Sequence, residues 1–200
     1  MSDLSQLIQT VGSIGIAAII FAESGLFFGF FLPGDSLLFT AGLLASRGYF
    51  SLPALMAVCF VAAVLGDNVG YRFGKRMGPK IFTREDSLFF HKDHIERARS
   101  FYEKHGKKTV VLARFVPFVR TFAPILAGVG VMHYPTFFTY NLIGAALWTI
   151  GVPLIGFSLG EAIPDIDRYL LPIIGLIVMI SIVPPAWHLY KEKRRKRSTV

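Results

Sequence analysis

The sequence predicts an all-α integral membrane protein with about four transmembrane helices and two oppositely oriented re-entrant helical hairpins, which together form an inverted repeat. Two long uncharged segments are the first observation: no Asp, Glu, Lys or Arg occurs in the 40 residues Thr121–Gly160 or the 22 residues Tyr169–Tyr190. About 20 apolar residues suffice to cross a bilayer. The second observation is a pair of shorter apolar segments that are interrupted by proline and carry charged side chains.

The N-terminal half is predicted to hold a first helix, a broken hairpin and a complete span. Leu4–Ala22 is mostly apolar, and the hairpin at about 24–45 is interrupted by Pro33 and Gly34. Arms of about ten residues, near 15 Å as helix, reach through half of the hydrocarbon core. Leu52–Tyr71 is long enough to cross and leads into a basic region. We therefore expect that span to run from outside to the cytoplasm.

The C-terminal half repeats the pattern. A second hairpin is expected at about 109–131, with helix breaks at Pro117 and Pro124. Complete spans follow at Tyr134–Leu159 and Tyr169–Tyr190. Paired short segments with Gly or Pro interruptions in both halves indicate a transporter whose site lies at the middle of the membrane.

Positive charge is concentrated in two places. Of 21 Lys and Arg residues, 11 fall between Arg72 and Lys108 and six between Lys191 and Arg197. An amphipathic helix on the cytoplasmic membrane face is expected at about 85–106, and residues 191–200 form a basic cytoplasmic tail behind a single domain at 1–190. Such loops mark the cytoplasmic side and attract anionic lipid head groups, so nucleic acid is not an expected partner. The N-terminus is expected inside as well, because Leu4–Ala22 would span before a hairpin that enters from outside.

Four charges lie inside apolar sequence: Glu23, Asp35, Arg114 and Arg120. Each costs roughly 2.5–3.5 kcal/mol at the centre of a membrane helix, so all four are expected to face the protein interior near one another. Guanidinium groups bind phosphate bidentately, which makes the two arginines the candidate phosphate site. The alternative is that they only neutralise the acids.

The two acids are candidates for proton coupling, because burial disfavours a charged carboxyl group and a nearby arginine favours it. Alternatively, Asp35 is the N-cap of the following helix arm, and Glu23 belongs to a fixed ion pair. Asp67 and Asn141 occupy matching positions in the two halves. They either line the cavity or bond a neighbouring backbone, whereas Trp148 is interpreted as a packing residue.

Sequence motifs of enzymes are missing. The chain has no GxxxxGK[ST] loop, no HExxH and no GxSxG. The pair His91 and His94 lacks a third ligand for a metal ion. We therefore expect no enzyme, no catalytic residue, no metal and no cofactor.

An ordered set of motifs resembles the bacterial DedA family, which belongs to a wider superfamily that includes lipid scramblases of the endoplasmic reticulum. The motifs are Glu23, FLPGD at Phe31–Asp35, GDNVGYRFGKRMG at Gly66–Gly78, RFVPFVRTFAPILAG at Arg114–Gly128, Asn141-x-x-Gly144 and Trp148. The resemblance implies two re-entrant hairpins, a functional acidic pair at Glu23 and Asp35, and an arginine pair at Arg114 and Arg120.

The resemblance also implies lipid movement across the bacterial cytoplasmic membrane, dependent on the proton gradient. The expected substrate is undecaprenyl phosphate or another phosphate-bearing lipid. Three alternatives stay open: a nonselective phospholipid scramblase, a small-ion or proton exchanger, and a membrane scaffold protein. A homo-oligomer is also left open.

Overall fold

A computed structural model of the chain describes residues 3–26, 32–82, 108–130, 132–163 and 172. Every regular element in these ranges is a helix. The six helices are α1 Asp3–Gly25, α2 Gly34–Ser46, α3 Leu52–Phe82, α4 Thr109–Ala113, α5 Pro117–Val129 and α6 Tyr134–Ala162. The all-α prediction is thus confirmed for the described part of the chain. The amphipathic helix expected at 85–106, the span expected at Tyr169–Tyr190 and the basic tail at 191–200 lie outside it.

Two described helices are long and apolar enough to cross a bilayer: Leu52–Met77 within α3, and α6. One face of α3 leaves large apolar side chains exposed at helical spacing, namely Val58, Val61, Leu65, Val69 and Phe73. An exposed apolar face of this kind is suited to contact with the hydrocarbon chains of a bilayer. The full set of four spans stays a prediction.

Helices α1 and α2 fold back on each other. Near the start of α1 and the end of α2, the Gln9 side chain donates a hydrogen bond to the carbonyl of Gly48, with an N–O distance of 3.0 Å. At the other end, the Glu23 carboxyl group lies directly against Gly34, where a Cβ atom has no room. The sequence placed the first arm of the hairpin from residue 24, but α1 continues through Gly25. Helix α1 therefore includes the residues at which the first arm was expected to begin.

Helix α3 runs parallel to α1. Gly12 meets the ring of Phe50 just before α3 begins, and Gly25 meets the backbone of Gly66 midway along α3. The N-terminus therefore lies at the end of the molecule where α3 begins. Two expectations from the sequence, an N-terminus inside and an α3 that runs inward, exclude each other in this fold.

Helices α4 and α5 make a second fold-back. Val110 of α4 and Ala127 of α5 pack in one cluster with Tyr71, so both outer ends reach the same level of α3. The turn between them covers residues 114–116. Pro117 is the first residue of α5, which suits a residue without a backbone N–H.

The expected break at Pro124 is wrong, because α5 continues through this residue. Gly70 of α3 lies close to the Pro124 ring. Because Gly70 has no side chain, the ring of Pro124 has room against α3. The helix break therefore lies before Pro117, not after it.

Helix α6 packs along α2 through close approaches at glycine. Gly42 of α2 meets the backbone of Pro153, and Gly156 of α6 meets the backbone of Phe39. Small residues of this kind let two helix backbones come together in a membrane protein. Asp35 meets Trp148 at the start of α2 and Ser46 meets Gly160 at its end, so α6 runs parallel to α2. It runs antiparallel to α3, because Val64 meets Asn141 and the later Tyr71 meets the earlier Phe137.

The two 13-residue helices α2 and α5 are related by an inversion of direction. Both begin near the level of Glu23 and Arg120. Helix α2 ends beside Gly160, at the end where α1 and α3 begin. Helix α5 ends near Tyr71 and Lys75, toward the opposite end. At about 1.5 Å per residue each spans roughly 20 Å, and their N-termini meet inside the molecule.

Candidate functional site

Arg120 lies in the first turn of α5 and contacts two carboxylates. Its Nη1 donates to Asp35 Oδ1 at 2.9 Å, and its Nη2 forms an ion pair with Glu23 Oε1. Arg120 and Glu23 are almost fully buried, whereas the side chain of Asp35 is 43% exposed. The structure thus brings Glu23 and Asp35 to one arginine rather than two. Asp35 is not the N-cap of α2, because Pro33 holds that position and supplies no side-chain cap.

Trp148 of α6 completes this group. Its indole Nε1 donates to Asp35 Oδ1 at 2.6 Å, and the Arg120 guanidinium carbon lies 4.4 Å from the ring centroid. Guanidinium groups favour this position over the face of tryptophan. We call Glu23, Asp35, Arg120 and Trp148 the acidic cluster.

The interpretation of Trp148 as a packing residue missed these contacts. A signal was present in the sequence: Asn141, Gly144 and Trp148 are spaced by three and four residues, which places them on one face of a helix. In the structure all three lie along the buried polar network.

Arg114 belongs to a second group. Its Nη2 forms an ion pair with Asp67 of α3 and donates to Asn141 Oδ1 of α6 at 2.5 Å. Asn141 Nδ2 in turn donates to the carbonyl of Val64 at 3.4 Å. We call Arg114, Asp67 and Asn141 the neutral cluster. The alternative in which both arginines only neutralise Glu23 and Asp35 does not hold for Arg114, because its ion pair is with Asp67.

The two clusters are neighbours along α6. Gly144 packs against the Arg114 side chain, and Trp148, four residues further, lies under Arg120. Four residues of helix correspond to about 6 Å. The two guanidinium groups are within electrostatic range of each other. The five charged groups together carry a net charge of −1 when all are ionised, because three carboxylates face two guanidinium groups.

Several buried polar atoms at this site have no hydrogen-bond partner among the described residues. They include Arg114 Nε and Nη1, Arg120 Nε, Ser24 Oγ and Thr121 Oγ1. Leaving such groups unpaired is costly, so this many in one place indicates a site that receives water or a ligand. Sequence reasoning missed Ser24 and Thr121. The available signal was that each directly follows a buried charge.

Two helix N-termini also converge here. Glu23 lies against the first residue of α2, and Arg120 lies in the first turn of α5. Each helix N-terminus carries a partial positive charge and free backbone N–H groups, which favour anions. Three or more side chains able to hold a metal ion are not found together in the described parts of the chain.

The fold and the site together define a multi-helix membrane protein with a buried charge network between antiparallel half-length helices. A family model described as the VTT domain matches residues 32–158. The Escherichia coli protein DedA is 44% identical over 88% of this chain and 81% of its own length. The chain belongs to the DedA family.

Other relatives agree with a membrane location. An uncharacterized membrane protein of Mycobacterium leprae is 44% identical over 88% of this chain and 80% of its own length. The inner membrane protein YqjA of Escherichia coli is 30% identical over 82% of this chain and 74% of its own length. No solved structure shows a significant match to the chain.

Proposed function

We propose that the protein is a transporter in the bacterial cytoplasmic membrane that moves a phosphate-bearing lipid between the leaflets, coupled to protons. Undecaprenyl phosphate is the first candidate substrate. The observation that carries the proposal is the pair of buried arginines, Arg114 and Arg120, which hold unused N–H groups beside converging helix N-termini. An anion suits this site better than a zwitterion, because every unused donor on the arginines carries positive charge.

Phosphate binding requires a change in the acidic cluster. Arg120 already contacts Glu23 and Asp35, so a phosphate group that approaches it competes with two carboxylates. Adding a phosphate to a site of net charge −1 is unfavourable in a low-dielectric interior. Uptake of a proton by one carboxyl group removes both obstacles, which couples lipid binding to protonation.

The arrangement of the helices supports alternating access to this site. Helix α2 extends from the acidic cluster toward one end of the molecule, and α5 extends from it toward the other. We propose that they form the outward and cytoplasmic re-entrant hairpins. By the positive-inside rule the basic segment after α3 and the basic tail at 191–200 both face the cytoplasm. The start of α1, at the other end of α3, then lies outside.

The test is translocation of undecaprenyl phosphate in proteoliposomes with an imposed pH gradient. We expect Arg120→Ala and Arg114→Ala to reduce the initial rate at least about tenfold, the effect of losing a charge-assisted hydrogen bond. Arg47→Lys is the matched control. Arg47 also donates from its guanidinium group, in partly buried hydrogen bonds to the carbonyls of Gly160 and Ile163, but at the far end of α6.

The result that contradicts the proposal is full transport by folded Arg120→Ala protein. Equal loss in Arg47→Lys would assign the effect to stability instead. Transport that needs no pH gradient, and that also accepts zwitterionic lipids, would favour the nonselective scramblase. Retained cellular function in all charge variants would favour the scaffold.

A second candidate function is a proton or small-cation exchanger. The acidic cluster favours this function, because it has two carboxylates and only one arginine. One negative charge is therefore left over that a proton or a small cation could neutralise. Liposomes without any phosphate-bearing lipid separate the two functions. Protein-dependent pH changes that persist there, and that added undecaprenyl phosphate does not alter, would favour the exchanger.

A further inference from the structure

The two carboxyl groups of the acidic cluster are held differently. Asp35 Oδ1 accepts hydrogen bonds from both Arg120 Nη1, at 2.9 Å, and Trp148 Nε1, at 2.6 Å. An indole N–H only donates, so Asp35 Oδ1 acts as the acceptor in this contact. One oxygen of Asp35 thus accepts from two donors on two different helices, and the side chain is 43% exposed.

Glu23 lies in the opposite environment. Its side chain is 3% exposed, it faces the guanidinium group of Arg120, and it packs against Gly34. The charged groups that face it are Arg120 of α5 and Asp35 of α2. Trp148 makes its hydrogen bond to Asp35 and not to Glu23. Arg120 therefore serves two carboxylates: Asp35 has the indole N–H of Trp148 as a further side-chain donor, whereas Glu23 has the backbone N–H of Gly34.

We propose that Trp148 is a positioning residue that holds Asp35 as a permanent carboxylate, so that Glu23 is the carboxyl group that takes up and releases the transported proton. The inference rests on the proposed proton coupling and assigns that coupling to one residue. Trp148 makes two contacts, a hydrogen bond from its N–H to Asp35 and a contact of its ring face with Arg120. Substitutions can remove the first contact without the second.

The proton step balances in charge. A proton from the aqueous phase binds the Glu23 carboxylate, and the ion pair between Glu23 and Arg120 Nη2 is lost. The net charge of the five groups changes from −1 to zero. Arg120 keeps its contact with Asp35 and its place over Trp148, while Nη2 becomes available to a phosphate oxygen. When the lipid leaves, Glu23 releases its proton to water and forms the ion pair with Arg120 again.

Fluorescence of Trp148 tests the assignment without lipid transport. The chain has two tryptophans, so Trp187→Phe leaves Trp148 as the only one, and excitation at the red edge of the tryptophan band avoids the tyrosines. We expect its emission in detergent to titrate with pH, because protonation of Glu23 changes the charge balance around the Arg120 guanidinium over the ring. Glu23→Gln should abolish this titration. Asp35→Asn, which keeps an oxygen acceptor for the indole N–H, should preserve it.

Three results overturn the assignment: a titration lost in Asp35→Asn and kept in Glu23→Gln, a titration that neither variant alters, or no titration in folded Trp187→Phe protein. The measurement is independent of substrate. Suppose that the titration depends on Glu23 but the protein moves no phosphate-bearing lipid. The assignment of the proton to Glu23 would then be supported, and the proposed substrate would be wrong.

Two substitutions separate positioning from packing. Trp148→Phe keeps an aromatic face for Arg120 but loses the N–H donor to Asp35, whereas Trp148→Leu loses both. We expect Trp148→Phe to move the pH of half-maximal transport by about one unit, since a hydrogen bond to a charged group changes such equilibria by about tenfold or more. A purely structural role would lower Tm and rate in both variants and leave the pH profile in place, which would overturn the positioning role.

Discussion

At the scale of single residues, the site is determined by which charges meet. Arg114 and Arg120 are six residues apart, yet they belong to different clusters because the chain turns between them at residues 114–116. Arg114 reaches α3 and α6 from the end of α4. Arg120 reaches α1 and α2 from the start of α5. Each arginine thus joins separate helices through the middle of the molecule.

The ion pair of the neutral cluster gives a prediction for stability. Replacing only one partner of a buried pair typically costs 3–5 kcal/mol, because it leaves a buried charge uncompensated. We expect Asp67→Asn and Arg114→Leu each to lower the unfolding free energy in detergent by about that amount. The double variant should lose clearly less than the sum, since neither charge remains. Denaturant unfolding of the four proteins measures this, and strict additivity would show that the two residues are not coupled.

The sequence identified the site residues better than their partners. Residue types were enough for Glu23, Asp35, Arg114 and Arg120, since a charge inside an apolar segment must face polar surroundings. The partner of Arg114 was not predictable, because Asp67 lies near the end of an expected span and shows no link to residue 114 until α3, α4 and α6 pack together.

At the scale of helices, glycine contacts hold the half-length helices in place. Helix α2 lies against α6 at Gly42 and Gly156, and α5 lies against α3 at Gly74 and Gly128. At each of these glycines a Cβ atom would meet backbone of the neighbouring helix. The start of α2, with Asp35, and the start of α5, with Arg120, are therefore aligned by backbone contacts further along each helix.

Two glycines of α6 test this alignment. Gly156 meets the backbone of Phe39, whereas Gly151 has open space around the position of a Cβ atom. We expect Gly156→Ala to destabilise the protein by about 1–3 kcal/mol through overpacking and to slow transport. The matched Gly151→Ala should be neutral or stabilising by about 0.5–1 kcal/mol, the usual advantage of alanine in a helix. Thermal unfolding and transport rates compare the two, and equal effects would contradict a special role for the Gly156 contact.

A helix break was predictable from the sequence at Pro33, where a glycine follows the proline, and not at Pro124, where none does. At Pro33 the next residue is Gly34, and the expected start of a helix arm is found there. At Pro124 the prediction failed, because α5 continues through the proline, whose ring lies against Gly70 of α3. That contact involves a residue of another helix, so local sequence could not reveal it.

At the scale of the whole molecule, the relation between α2 and α5 sets the direction of every other element. The two helices leave the central clusters toward opposite ends, and α1 and α3 run parallel between those ends. The sequence suggested the inverted repeat through its two proline-interrupted segments. It could not show that α1 folds back on α2, because the contacts between Gln9 and Gly48 and between Glu23 and Gly34 join residues far apart in the sequence.

The parallel direction of α1 and α3 predicts an outside N-terminus, and cysteine labelling checks it. The single cysteine, Cys59, is buried, so a Cys59→Ala background carries one new cysteine at a time. Tyr49 is 59% exposed at the end where α1 and α3 begin, and Arg76 is exposed near the other end of α3. We expect an impermeant maleimide to label Tyr49→Cys in intact spheroplasts. Arg76→Cys should react only after permeabilisation.

The physical reason is the cluster of 11 basic residues between Arg72 and Lys108, which strongly favours the cytoplasmic side. Because the fold fixes the start of α1 at the opposite end, that one bias also orients the N-terminus and the hairpin of α1 and α2. The cysteine-free parent controls for unspecific reaction. Labelling of Arg76→Cys alone in intact spheroplasts would invert the whole arrangement, so that the hairpin of α1 and α2 would open to the cytoplasm and α4 and α5 to the outside.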